Sequence, residues 1–378
     1  MGLQFSLRHL RHRHAAVSRA CAGRYASAPN GDATDAPQAR MTAARAPYPD
    51  ALRGYGILLV ACIHAFAYLD PPVTGGWAVP WFLAHQIAVP IFFLADGWIT
   101  ATRHKQGYTM AEGGQMLLAS AQRLTVPWAV FSLLYLATRM AGERAGVLGG
   151  ETVLPDGVAS IPLALWRGAA AGHLYFLPAL LLVRAATVPL LRLVAGRPGW
   201  AAALAVLLMV GWRGVIEPFF PPAGIGVEPL LAACTGLGFA ALGWALAMQE
   251  QDTDAPVWHV PLAAGAGCLI AAAALDGRGQ DLAAQTGYLL LVWTAARSLG
   301  GNAVYRGFAW LGPRTMQIYL LHSPILIKLA CDVLRHTHVP LPAALVLAVS
   351  VAVALSLAVA SVLQRIGLGW VWGAPRRS

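Results

Sequence analysis

Residues 341–364 read LPAALVLAVSVAVALSLAVASVLQ, an unbroken run without a charged side chain. At ~1.5 Å of rise per residue, a helix of this length exceeds the ~30 Å hydrocarbon core of a bilayer. Pro229 to Met248 and Ala201 to Gly211 are equally free of charge. Across the 378 residues, 57% are hydrophobic and 12% charged, with a mean hydropathy of +0.58, whereas soluble domains carry about 25% charged residues. So few charges cannot cover a soluble body of this size. The chain therefore reads as an all-α polytopic membrane protein.

Including that run, apolar spans fall at 52–69, 77–100, 120–140, 173–191, 200–217, 226–248, 258–275, 282–299, 310–331 and 341–364. About ten transmembrane helices are expected, in one membrane domain over 51–366 with a short basic cytoplasmic tail over 367–378. The apolar piece Ile161 to Ala171 and the segment Gly107 to Ala119 read as interfacial or re-entrant segments. Residues 1–50 form a separate basic arm, expected to be disordered, with no acidic residue before Asp32 and no apolar core of a secretory signal. Met41, followed by TAARAPYPDALRG, offers a second candidate start.

The net charge of +10 is divided between that arm and the flanks of the spans, a pattern of membrane topology rather than of nucleic-acid binding. With the N-terminus inside, the inner side holds eight Lys and Arg up to Arg53 and eleven more beyond it, nineteen in all, against seven outside. Leaving out the arm through Arg45, the ratio is still twelve to seven, so both termini are expected in the cytoplasm. The five cysteines are scattered and show neither a disulfide framework nor metal-ligand spacing; no metal site is expected. No internal repeat of the kind found in transporters is visible.

Ionisable residues at membrane depth are costly, so each is a functional candidate by default. In ALRGYGILLVACIHAFAYLD, Arg53 and His64 are eleven positions apart. That spacing is about 16 Å along a helix and only about 20° off three full turns, so both project from nearly one face. An elongated donor held by its phosphates at Arg53 would present its reactive end at His64. The alternative is an interfacial anchor and a hydrogen-bonded interhelical histidine. Asp96, in VPIFFLADGWIT, is either a site carboxylate or the partner of an arginine such as Arg123; the structural pairing is favoured, because an unpaired buried carboxylate is too costly. Arg123, in AQRLTVPW, is a second phosphate-binding candidate or an interfacial anchor. His173, in AGHLYFLPALLL, opens the fourth span. Tyr319 and His322, in TMQIYLLHSPIL, lie three apart on one helical face and are candidates to line the same cavity as His64. His85 reads as an interhelical contact, and Lys328 with Asp332 as a structural ion pair.

Five of these fragments, in this order, resemble the acyltransferase 3 family of membrane-bound bacterial sugar O-acyltransferases. They are Arg53 with His64, the Phe92-Phe93…Gly97 turn, Arg123 with Pro127, His173 with Tyr175 and Phe176, and Ile318-Tyr319-Leu320 with His322. The sequence departs from the pattern at Asp96, where the family usually has Ser. The resemblance covers about 52–325 and implies a multi-pass enzyme of the bacterial inner membrane. In such an enzyme an acyl group, acetyl or succinyl, passes from acyl-coenzyme A to a hydroxyl of a glycan or glycolipid. Acyl-coenzyme A would be a substrate, with no permanently bound cofactor. It further implies His64 as general base or transient acyl carrier, Arg53 and Arg123 as donor-binding residues, and Tyr319 and His322 as residues orienting His64 or the acceptor. The competing class is a transporter or flippase of a glycan intermediate, but transport does not explain the Arg53–His64 spacing.

Overall fold

The computed structural model describes residues 47–71, 74–104, 106–146, 153–154, 157–219, 227–251, 259–298 and 300–373. Residues 1–46 of the expected arm and the last five residues of the chain lie outside this set, and residues 47–50, read with the arm, are helical at the start of the first span. The described elements are all helical. In chain order they are α1 (Pro47–Leu69), α2 (Ala78–Arg103), α3 (Met110–Arg144), α4 (Ile161–Arg167), α5 (Phe176–Val194), α6 (Pro198–Val210), α7 (Glu228–Gln251), α8 (His259–Ala274), α9 (Gly277–Ser298), α10 (Ala303–Leu311), α11 (Thr315–Leu321), α12 (Ile327–Arg335) and α13 (Leu341–Arg365).

Eight helical segments among the described residues are long and apolar enough to cross a membrane: α1, α2, α3, α5, α6 with its extension to Phe219, α7, the joined α10–α12, and α13. The seventh and eighth spans expected from the sequence correspond to α8 and α9, which pack against each other. Of these, α8 has only 16 residues, about 24 Å of helix, and α9 is too polar to satisfy the same criterion.

Two local expectations are overturned. The segment 107–119 is no separate interfacial piece, because α3 runs continuously for 35 residues from Met110. Its start is set by a capping box: the Thr109 hydroxyl accepts from the Glu112 amide at 3.2 Å, and the Glu112 carboxylate accepts from the Thr109 amide at 2.8 Å. The ninth span is not one helix but three, α10 to α12, broken around Pro313 and again around Pro324. Within the expected tail, Leu368–Trp372 forms a 3-10 helix, and Trp372 stacks on Phe131 of α3 with centroids 5.6 Å apart.

Small residues decide which helices touch. A Cβ at Gly97 of α2 would overlap the Ala240 carbonyl of α7, and one at Gly243 of α7 would overlap the Leu94 carbonyl of α2. Lipid tails are as apolar as leucine, so such close backbone approach, rather than hydrophobic segregation, drives association within a bilayer. In the same way, Gly54 of α1 lies on the Phe308 carbonyl of α10, and Gly312 lies on the backbone of Asp50. These contacts hold α1 along the broken chain from α10 to α12.

Candidate active site

Arg53 and His64 of α1 both face that broken chain. Arg53 donates from Nη2 to the Thr315 hydroxyl at 3.2 Å, and its Nη1 lies 3.6 Å from the Asp50 carboxylate. Thr315 in turn donates to the Gly312 carbonyl at 3.0 Å. Three helical turns further along α1, the His64 ring meets His322 at 5.1 Å and His173 at 5.5 Å between centroids, and His173 and His322 are 5.4 Å apart. Three imidazoles from positions far apart in the chain thus form one triangle. His64 is five residues from the end of α1 at Leu69, so the triangle lies toward the end of the bundle opposite Arg53.

The local sequence around His322 explains its setting. Pro324 disfavours helical backbone at the preceding residue, and Ser323 is extended, with φ −125° and ψ 150°. Pro324 also has no N–H for the Leu320 carbonyl four residues back. That carbonyl accepts the buried Tyr135 hydroxyl of α3 instead, at 2.5 Å. At the break, His322 Nδ1 sits 2.8 Å from the Ile318 carbonyl and 3.0 Å from the Tyr319 carbonyl. Carbonyls only accept, so Nδ1 carries the hydrogen and Nε2 keeps its lone pair. Nε2 is buried without a hydrogen-bond partner.

His173 arrives from the other side, on the 3-10 turn Gly172–Tyr175 that opens α5. Its backbone carbonyl accepts the Tyr319 hydroxyl. Its ring packs against Tyr319 at 5.1 Å and Tyr135 at 6.3 Å. Only 8% of His173 is exposed, and neither ring nitrogen has a partner in the protein. Tyr319 therefore holds His173 through its backbone rather than by bonding to the His64 ring.

A family model described as an acyltransferase domain, of the acyltransferase 3 type, matches residues 47–362. The chain belongs to the acyltransferase 3 family. It is accordingly a multi-pass membrane acyltransferase, transferring acyl groups other than aminoacyl groups. No curated protein and no solved structure matches it.

In this acyltransferase Asp96 does not join the histidines. Its carboxylate takes a bidentate ion pair from Arg184 of α5, Nη2 to Oδ1 at 2.5 Å and Nε to Oδ2 at 3.1 Å, and Arg184 also donates to the Ser120 hydroxyl at 3.2 Å. The partner is Arg184 rather than Arg123. Arg53 and Arg123 nevertheless lie within electrostatic reach of Asp96. At the Arg53 end of the bundle the enzyme thus has a polar layer of Arg53, Arg123 and Arg184 with Asp50 and Asp96, while Glu250 is taken by Arg297, Tyr48 and Trp98. Lys328 and Asp332 form an exposed ion pair at 2.7 Å, and His85 stacks on Trp81 at 4.2 Å.

Three participants are not apparent from sequence spacing. Arg184 does carry a signal, a lone charge inside LLLVRAATV. Tyr135 and the buried, unpartnered Ser132 of α3 carry none, because a hydroxyl in an apolar helix is common. An apolar cavity of about 210 Å³ flanked by Ala51, Tyr55, Ala295 and Phe308 opens beside α1. At ~100° per residue, Ala51 and Tyr55 project roughly opposite Arg53, so this cavity is separate from the histidine triangle. Among the described residues, no three His, Cys, Asp or Glu side chains are arranged to hold a metal ion.

Proposed function

We propose that this enzyme moves an acyl group, acetyl in the simplest case, from cytoplasmic acyl-coenzyme A to a hydroxyl of a glycan or glycolipid at the bacterial plasma membrane. The observation that carries the proposal is the pairing of an arginine-rich layer with a three-histidine centre along one face of α1, about 16 Å apart. A phosphopantetheine arm has comparable reach, so the phosphates of the donor rest at Arg53, with Arg123 beside it, while the thioester lies at His64. Charge-assisted hydrogen bonds from guanidinium to phosphate are the strong kind.

His64 takes the proton of the acceptor hydroxyl as its oxygen bonds to the thioester carbon. The tetrahedral adduct then collapses, the carbon–sulfur bond breaks, and the proton passes from His64 to the departing thiolate. Neutral imidazole is suited to both steps near neutral pH. His322, whose ring is 5.1 Å from that of His64 and whose Nε2 keeps its lone pair, supports His64 as a base. Both termini are assigned to the cytoplasmic side, supported by the nineteen-to-seven distribution of Lys and Arg.

Thiol release from acetyl- and succinyl-coenzyme A, measured in detergent-solubilised protein with a glycan acceptor pool, tests the reading. Wild type is expected to turn over one of these donors, and His64→Ala to lose turnover while still inserting and folding. Equal turnover in the two proteins would refute the role given to His64. Absence of thiol release from every donor in wild type would reject acyl-coenzyme A as the source.

A further inference from the structure

A neutral imidazole has one N–H to donate and one lone pair to accept. In His173, a residue only 8% exposed, neither ring nitrogen meets hydrogen-bond geometry with a protein group, although the Tyr319 backbone is near enough to act on the ring, and leaving a buried polar atom unsatisfied costs about 1–3 kcal/mol. Three of its polar ring neighbours have their hydrogens placed, although His322 Nε2 keeps an open lone pair. The Tyr319 hydroxyl is committed to the His173 carbonyl, the Tyr135 hydroxyl to the Leu320 carbonyl, and His322 Nδ1 to two carbonyls. The backbone of His173 is also fixed, by the 3-10 turn and by Tyr319. A ring so held, 5.5 and 5.4 Å from two other imidazoles, is arranged for something that arrives with its own acceptor atom.

Elimination identifies that atom. Acyl transfer needs a base for the incoming hydroxyl and a donor for the carbonyl oxygen, which becomes an oxyanion as the new bond forms. Of the two rings that meet His64, His322 has spent its N–H on backbone and offers only a lone pair. With the lone pair of His64 used as the base, His173 is the one of these two neighbouring rings that can still donate an N–H. We propose that His173 is a catalytic residue that donates a hydrogen bond to the acyl carbonyl oxygen of the bound thioester. As the acceptor oxygen bonds to carbon, the π electrons of the carbonyl move onto that oxygen and are stabilised by the His173 N–H. They return when the carbon–sulfur bond breaks, and the His173 hydrogen stays on its nitrogen throughout. This assignment rests on the acyl-coenzyme A reading above.

The test is steady-state kinetics of His173→Phe, which keeps a ring and removes the donor, and His173→Gln, which keeps an N–H donor. Removing an oxyanion donor typically costs ~10²–10³ in kcat. His173→Phe is expected to lose about 100-fold in kcat with the donor KM within about threefold of wild type, while His173→Gln keeps substantially more activity. A non-hydrolysable thioether of coenzyme A, which lacks the carbonyl, is expected to bind wild type and both variants equally. A loss carried mainly by KM, equal losses in the two variants, or kcat within threefold of wild type in His173→Phe would overturn the assignment. Should His173→Phe fail to fold, His173→Leu, which likewise removes the donor, replaces it under the same criteria. Wild type that releases no thiol from any donor would instead remove the underlying acyl-coenzyme A reading, and this assignment with it.

Discussion

The Asp96–Arg184 pair gives the sharpest test of how this enzyme is held together. Each side chain is about a fifth exposed, at 20% and 21%, so the pair is largely but not wholly withdrawn from solvent. Breaking a fully buried pair costs ~3–5 kcal/mol, mainly from the charge left behind. Allowing for the partial exposure, Asp96→Ala should cost about 2–3 kcal/mol, because Arg184 then retains only Ser120 among its hydrogen-bond partners here. Arg184→Met should cost about the same by stranding the carboxylate. Replacing both, as Asp96→Leu with Arg184→Met, should come within about 1 kcal/mol of wild type, since apolar packing often substitutes for a buried ion pair without loss. Unfolding in mixed micelles, followed by tryptophan fluorescence, measures all three. Additive single and double losses, or single losses below about 1 kcal/mol, would refute the reasoning. Thiol release from the double variant decides the further point. A structural pair predicts a folded, active enzyme, and a site carboxylate predicts a folded, inactive one.

Other perturbations follow from the same contacts. Arg53→Ala removes charge-assisted bonding of ~1.5–3 kcal/mol and should raise the donor KM by roughly 10- to 150-fold with a smaller change in kcat, read from initial rates. Tyr135→Phe leaves the Leu320 carbonyl without its hydroxyl donor and should destabilise the fold by about 1–3 kcal/mol in the same micelle unfolding assay. Gly97→Leu or Gly243→Leu would force α2 and α7 apart and should abolish the monodisperse peak on size-exclusion chromatography, whereas Gly114→Leu, where the added Cβ meets nothing within 4 Å, should leave it intact.

The amino-acid sequence by itself determined the class of the protein and the alignment of Arg53 with His64. Apolar length is matched against bilayer thickness residue by residue, and the helical repeat fixes relative direction over a few turns; both are local properties. The capping box at Thr109 and the break at Pro324 are of the same kind, legible in principle from TMAE and HSP. Tertiary structure alone decided what meets His64. His173 and His322 lie on other helices, more than a hundred positions away in the chain, and nothing in local periodicity sets which faces of two helices touch. That choice was made by close backbone contacts at Gly54, Gly97, Gly243 and Gly312, which bring α1 against α10–α12 and α2 against α7. It was made too by the need to satisfy each buried polar group, which gave Asp96 to Arg184 and the Leu320 carbonyl to Tyr135.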